Sequence, residues 1–265
     1  MGRTKAMTAS SPSRGLLFGT AAEAYERYRL GYPDEVVDRT LAYVRAPVTR
    51  ALEIGAGTGK ATRAFVSRGV EVVALEPDEE MVGVLRRETR GMSVDVRHST
   101  FEGYDGPRTN LVYAAASWHW TEPASRWARA AELIDDGGAL AIFGGPMRLA
   151  DDEVQDAVAH AVGEDLPDEA FLSSDKRPDP AAADRWPTRE MRECGWFEDI
   201  QVHDVSRIVT VPVQEYIGYL STLSAYLVLE PPVRQDVLHR ITAVVPDQVR
   251  LDLSVGLHLG RRVPR

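Results

Sequence analysis

From Arg50 to Phe143 the chain alternates short apolar runs with segments of helical composition, and this rhythm constrains the fold more than any other feature. The runs are ALEIG (51–55), VEVVALE (70–76), SVDVRH (93–98), NLVYAAA (110–116) and ALAIF (139–143). Helical stretches separate them over 58–67, 78–89 and 122–133. Apolar runs of that length, with helices between them, are strands buried on both faces. They imply an α/β architecture with a parallel, doubly wound sheet.

Outside this block the rhythm changes. Thr20 to Arg29 has helical spacing and is stopped at Gly31-Tyr32-Pro33, after which Asp34 is placed to cap a second helix through Val44. Asp151 to Glu169 carries eight carboxylates and no basic residue, as a solvated helix and loop would. Residues 171–187 hold three prolines and read as a loop. A short helix over 188–194, a strand over 199–213 and helices over 213–229 and 232–245 follow. Residues 249–260 alternate apolar and polar side chains, as a strand at a sheet edge does.

Charge narrows the partners. The net charge is −9, and the excess of acid falls after residue 150. A nucleic-acid binder needs a basic stripe to displace counterions from phosphates, and none is visible. No apolar run approaches the roughly 20 residues that span a bilayer. The first 13 residues lack the apolar centre of a secretion signal. With a single cysteine, Cys194, neither an internal disulfide nor a cysteine-rich metal site is expected. The expected setting is cytoplasmic, without nucleic acid, membrane or metal, and with a homo-oligomer possible.

The chemistry concentrates at Glu53-Ile54-Gly55-Ala56-Gly57-Thr58-Gly59-Lys60, where the first strand gives way to a helix. Glycines at such a turn let backbone approach a ligand closely. The dinucleotide fingerprint needs glycines at relative positions one, three and six, whereas here they stand at one, three and five, with Lys60 at six. Glu53, just before the turn, suits an ammonium rather than a pyrophosphate. Glu76 ends the second strand 23 residues later, where a carboxylate accepts from ribose hydroxyls.

These features resemble the class I S-adenosylmethionine-dependent methyltransferases, in the small-molecule branch (methyltransferase type 11) that includes trans-aconitate methyltransferase-like enzymes. The resemblance is carried by YERYRLGYP (25–33), LEIGAGTGK (52–60), ALEPDEEM (74–81), STFEGY (99–104), AASWHW (115–120) and LIDDGGALAIF (133–143), in the family's order over residues 20 to about 145. It implies a Rossmann-like seven-stranded sheet with an antiparallel last strand, suited by residues 249–260. It also implies a flexible tail over 1–16, a helical lid over 17–48, and a methyltransferase domain over 49–265 with helical cap insertions at about 150–190 and 212–246. The implied cofactor is S-adenosylmethionine, leaving as S-adenosylhomocysteine.

Carried over residue by residue, the resemblance places Gly55 and Gly57 against the methionine portion and Glu53 on its ammonium through water. Glu76 takes the ribose, Pro77 lies beside the adenine, and Thr100 and Phe101 flank its other side. Ala115 offers backbone to the amine, and Tyr25, Arg29 and Tyr32 face inward from the lid. Leu30 stands where the family usually has proline, and Thr109-Asn110 where it has Phe-Asp.

Methyl transfer is an in-line displacement that needs alignment more than acid–base help. Trp118-His119-Trp120 follows the fourth strand, at the edge where open α/β sheets bind ligands. His119 is the candidate base or substrate partner; the alternative is that the trio packs and shapes the pocket. Tyr216, Tyr219 and Tyr226 share one helical face, which is core by default and an acceptor wall if that helix caps the site; Tyr219 is the candidate wall residue with Tyr32, Trp118 and Trp120. The expected function is methyl transfer to a small molecule, in specialised metabolism. A cyclase or isomerase using the sulfonium as a fixed charge, a regulatory binder without chemistry, and a more distant NAD-dependent oxidoreductase are the alternatives.

Overall fold

In the computed structural model the apolar runs lie side by side as parallel strands. The structure describes residues 19, 21–166 and 186–264, so the expected tail over 1–16 and nearly all of the proline-rich loop over 171–187 lie outside the described residues. Helices α1 (Ala22–Tyr28) and α2 (Asp34–Tyr43) precede the sheet. The repeating units are then β1 (Arg50–Ile54), α3 (Lys60–Val66), β2 (Glu71–Glu76), α4 (Glu79–Glu88), β3 (Val94–His98), β4 (Thr109–Ala115), α5 (Arg126–Leu133) and β5 (Ile134–Gly144). Next come β6 (Arg148–Leu149), α6 (Asp152–Val162), α7 (Thr188–Glu193), β7 (Phe197–Val205), β8 (Ile208–Pro212), α8 (Val213–Leu220), α9 (Ser224–Leu227), α10 (Pro231–Val244), β9 (Gln248–Asp252) and β10 (Val255–Arg262).

The main sheet has seven strands in the order β3-β2-β1-β4-β5-β10-β7. β10 runs antiparallel to both β5 and β7, and the other pairs are parallel. Strand alternation divides the core into two layers. Ala51, Phe65, Tyr113 and Phe143 lie in one, while Leu52, Ile54, Val112 and Trp118 lie in the other. Because the order reverses between β1 and β4, a crevice opens at their carboxyl ends, the usual ligand position in open α/β sheets.

Several expectations are corrected. The alternating segment 249–260 is not one edge strand. The Asp252 carboxylate accepts from the Ser254 N–H at 2.9 Å and from its hydroxyl at 2.6 Å, and this turn divides β9 from β10. β10 is paired on both sides, and its polar residues are buried with partners: the His258 Nδ1 lies 2.6 Å from the Thr188 hydroxyl, and Arg261 meets Asp199 at 3.0 Å. Residues 199–213 likewise split into β7 and β8, which belong to different sheets. The cap is therefore not helical alone: β6, β9 and β8 form a three-stranded antiparallel sheet that shares an apolar cluster with α6, α8 and α10. Asp34 is the first residue of α2 rather than its cap, and its carboxylate bonds Arg68 instead. The stretch 213–229 breaks into α8 and α9, so its three tyrosines do not share one helix.

No helix among the described residues is long and apolar enough to cross a membrane.

Candidate functional site

At the crevice lies a partly open cavity of about 110 Å³. Its floor is the turn after β1 together with Ala115 and Ala116 at the end of β4, and its roof comes from Tyr25, Arg29, Tyr32 and Tyr219. Ala116 has φ 55, a left-handed conformation costly for a residue with a Cβ, and its N–H donates to the Phe143 carbonyl at 2.8 Å. Backbone strain is thus concentrated where the strand meets the cavity.

Glu53 lies on β1, facing the same layer as Ala51 and Tyr113, and is fully buried. A buried carboxylate needs donors. Its Oε2 receives the Thr62 hydroxyl at 2.5 Å and the Tyr113 hydroxyl at 3.0 Å. Its Oε1 is buried and has no partner among the described residues, although Glu53 lines the cavity. Loss of water raises the Glu53 pKa to about 8, against the pull of those two hydroxyls. The arrangement leaves one acceptor for a donor arriving from the cavity.

The turn itself depends on glycine at two places. Gly55 has φ +64, and a Cβ there would lie 2.6 Å from the Ser117 Cβ. Gly57 has φ +57, and a Cβ there would meet nothing within 4 Å. The first glycine permits packing against Ser117, just beyond β4; the second leaves open space above the turn. The Gly57 N–H donates to Glu76 Oε2 at 2.7 Å, while Oε1 accepts from the Asp78 N–H at 3.0 Å. Burial raises the Glu76 pKa to about 7, opposed by these backbone donors. Each Glu76 oxygen retains acceptor capacity, since a carboxylate oxygen takes two donors.

The expected site residues fall into two groups. Glu53, Gly55, Gly57, Ala115, Tyr25, Arg29, Tyr32 and Tyr219 line the cavity together. Glu76 joins them through Gly57 without being part of the wall. Pro77, Thr100, Phe101, Trp118, His119 and Trp120 do not line it. Trp118 is buried in the other layer, with ring centres 6.0 Å from Phe101 and 5.0 Å from Trp127. Thr100 is exposed and its hydroxyl accepts from the Gly103 N–H at 3.1 Å. His119 stands at the surface, 4.5 Å from the Trp120 ring centre. Desolvation by the surrounding protein and then the Arg126 charge lower its pKa, favouring the neutral imidazole. Of the three tyrosines after residue 213, Tyr219 turns to the cavity, while Tyr216 and Tyr226 pack in the cap's own core.

Glu26, Arg63, Thr222, Ser117 and Tyr113 complete the site without having been singled out in the sequence. The Lys60 ammonium donates to the Glu26 carbonyl at 2.6 Å and lies 3.3 Å from its carboxylate, which also receives Arg63 at 2.7 Å. Helix α1 is thereby tied to the start of α3. Arg29 donates to the Tyr219 hydroxyl and the Thr222 hydroxyl, both at 2.8 Å, and lies over the Tyr219 ring at 4.3 Å. The Ser117 hydroxyl donates to the Ile54 carbonyl. Tyr113 was the legible one: in parallel pairing it faces Glu53, and a buried carboxylate on a central strand asks for a neighbouring hydroxyl.

Among the described residues no group of three His, Cys, Asp or Glu is placed to hold a metal ion.

Comparison with known proteins bears on the family and the fold. Residues 51–138 match the family model described as a methyltransferase domain. An uncharacterized methyltransferase of Mycobacterium tuberculosis is 38% identical over 136 residues, 51% of this chain and 55% of that protein. A provisionally named methyltransferase of Dictyostelium discoideum is 24% identical over 84% of this chain and 82% of its own. The chain spans about half the length of the first of these relatives. In fold, it is similar to a provisionally named type II methyltransferase of Anaeromyxobacter dehalogenans, with a TM-score of 0.62 over 90% of this chain and all of that one, at 20% identity. Residues 51–138 are thus similar in sequence to a methyltransferase domain, and the sheet that holds them is similar in fold to that of a solved methyltransferase.

Proposed function

We propose that the protein transfers a methyl group from S-adenosylmethionine to a small-molecule acceptor, and that it serves specialised metabolism. The observation that carries this reading is the unpartnered, buried Oε1 of Glu53 at the wall of the cavity. An α-ammonium is the donor that such an oxygen lacks, and the open space above Gly57 leaves room for the chain that bears it. The residues present therefore fit the amino-acid end of the cofactor. Glu76, poised at the end of β2 with acceptor capacity left, fits the ribose hydroxyls, with Pro77 beside the base.

When bound, the cofactor supplies an electrophilic methyl group on a positively charged sulfur. The protein's own part is to hold and to exclude. Glu53 would fix the ammonium, and Ala115 would present backbone to the same end. The α1 segment, with Tyr25, Arg29 and Tyr32, would act as the lid that keeps water out, clasped by Glu26 on one side and by Tyr219 and Thr222 on the other. Alignment and exclusion of this kind are worth up to about 7–11 kcal/mol of the barrier. A small acceptor is favoured by the small size of the cavity and by the absence of a basic stripe on a chain of net charge −9.

The test is incubation with methyl-labelled S-adenosylmethionine and pooled small-molecule acceptors. The reading expects a low-molecular-weight product heavier by one methyl group, and loss of that product in Glu53→Ala. Label found only on RNA or protein in the same assay would contradict the small-molecule acceptor.

A further inference from the structure

Two cations that line the cavity have no acidic partner among the described residues. Arg29 is held by neutral groups alone: the Tyr219 hydroxyl, the Thr222 hydroxyl and, at 3.2 Å, the Thr222 carbonyl. Arg207, on the turn between β7 and β8, donates one guanidinium N–H to the Gly31 carbonyl, and its backbone N–H donates to the Ser254 hydroxyl at 3.2 Å. The third cation at the wall, Lys60, is paired with Glu26. Glu53 is the one acid among the lining residues. In a chain with 40 acidic residues against 31 Lys and Arg, two unneutralised arginines at one small cavity are not explained by an excess of base.

Charge bookkeeping then points to the missing partner. Arg29 is the partly buried cation, and one without a counter-ion costs free energy that is recovered when an anion arrives; Arg207 is more open, with its guanidinium accessible to an incoming group. The cofactor does not supply that anion in balance, because its ammonium and sulfonium outnumber its single carboxylate. With Glu53 ionised, the loaded cavity holds more positive than negative charge even after the cofactor's carboxylate is counted. We propose that the methyl acceptor bears an anionic oxygen group, a carboxylate or a phosphate, and that Arg207 is the residue that recognises it. The guanidinium suits either group, since its planar donors match both. Its bond to Gly31 places the recognised group beside the lid segment, so acceptor binding also holds that segment down.

This inference rests on the methyl-transfer reading, and its test separates the two. The full chain is saturated with S-adenosylhomocysteine and titrated by calorimetry with benzoate, phenyl phosphate and the neutral isostere benzamide. The expected result is binding of at least one anion and none of benzamide, with the stronger of the two anions telling carboxylate from phosphate. Arg207→Gln is expected to weaken the anion about tenfold or more, while its affinity for S-adenosylhomocysteine stays within about threefold of the parent. Arg207→Lys, which keeps the charge and loses the fork, is expected to fall between. Benzamide binding as well as benzoate, no anion binding to the loaded protein, or unchanged anion affinity in Arg207→Gln would each overturn the inference while leaving the cofactor site intact. Failure of S-adenosylhomocysteine to bind would instead remove the methyl-transfer reading, and this inference with it.

Discussion

The Gly57 amide donates to Glu76 Oε2 at 2.7 Å, so the turn after β1 is fastened to the end of β2 across 19 residues of sequence. The other Glu76 oxygen accepts the Asp78 amide, just ahead of α4. One carboxylate thus ties together the glycine turn and the start of α4, and it does so at the point where a ribose would be received.

Glu76→Gln should therefore do more than remove a charge. An amide cannot accept from both backbone donors without turning its own N–H₂ toward one of them. We expect a stability loss of about 1–3 kcal/mol, read from denaturant unfolding, together with S-adenosylhomocysteine binding weakened at least about tenfold. A variant as stable as the parent and with the same affinity would show that Glu76 has no such double role.

The two glycines should separate fold from function. A methyl group at Gly55 falls against Ser117, so Gly55→Ala should destabilise the chain by more than the roughly 1–2 kcal/mol cost of a left-handed residue alone. A methyl group at Gly57 meets open space, so Gly57→Ala should cost only about that conformational amount. Its larger effect should be on cofactor affinity, because the methyl occupies the space above the turn. Thermal melting and calorimetry on the pair check the contrast.

Ligand affinity should depend on pH through Glu53. Its folded pKa is raised to about 8 from an ordinary value near 4.5, so the folded state holds this proton more tightly than the unfolded chain does. The ligand-free protein therefore loses stability as pH rises from about 4.5 to about 8, where the buried carboxylate is forced to ionise. An ammonium ligand reverses the preference. Its affinity should rise with pH up to about 8, by at most about tenfold per unit. Glu76, with a pKa raised to about 7, adds a second rise that ends lower. Glu53→Gln should flatten the part above about 7 and leave below it only the shallower rise that Glu76 supplies. Calorimetry across this range makes the comparison.

The α1 clasp should control release. Glu26→Ala frees both Lys60 and Arg63 from their shared carboxylate. Loss of roughly 1 kcal/mol from this partly buried pair would raise the dissociation rate of S-adenosylhomocysteine about fivefold. Stopped-flow displacement reads that rate directly.

How much of this was legible in the sequence depends on the range of the interaction. The parallel strands, the turn and the two strand-end carboxylates were legible because local periodicity and short spacing carry them. The clasp was not: Lys60 meets Glu26 across 34 residues, and nothing in either segment marks the other. Lys60 could be read only as a departure from a dinucleotide fingerprint. The interior position of β10 was hidden because His258 and Arg261 look solvent-facing in a linear pattern, whereas Thr188 and Asp199 satisfy them inside. His119 carried an attractive chemistry, yet the short turn from Trp118 to Trp120 directs it to the surface and away from the cavity wall.

In the proposed function, Glu53 and the glycine turn receive the amino-acid end of a sulfonium cofactor. Calorimetric titration of the purified protein with S-adenosylmethionine, S-adenosylhomocysteine and NAD tests it most directly. The expected result is binding of the two sulfur compounds, sharply weakened in Glu53→Gln above pH of about 7, and none of NAD. Binding of NAD with no response to either sulfur compound would contradict it.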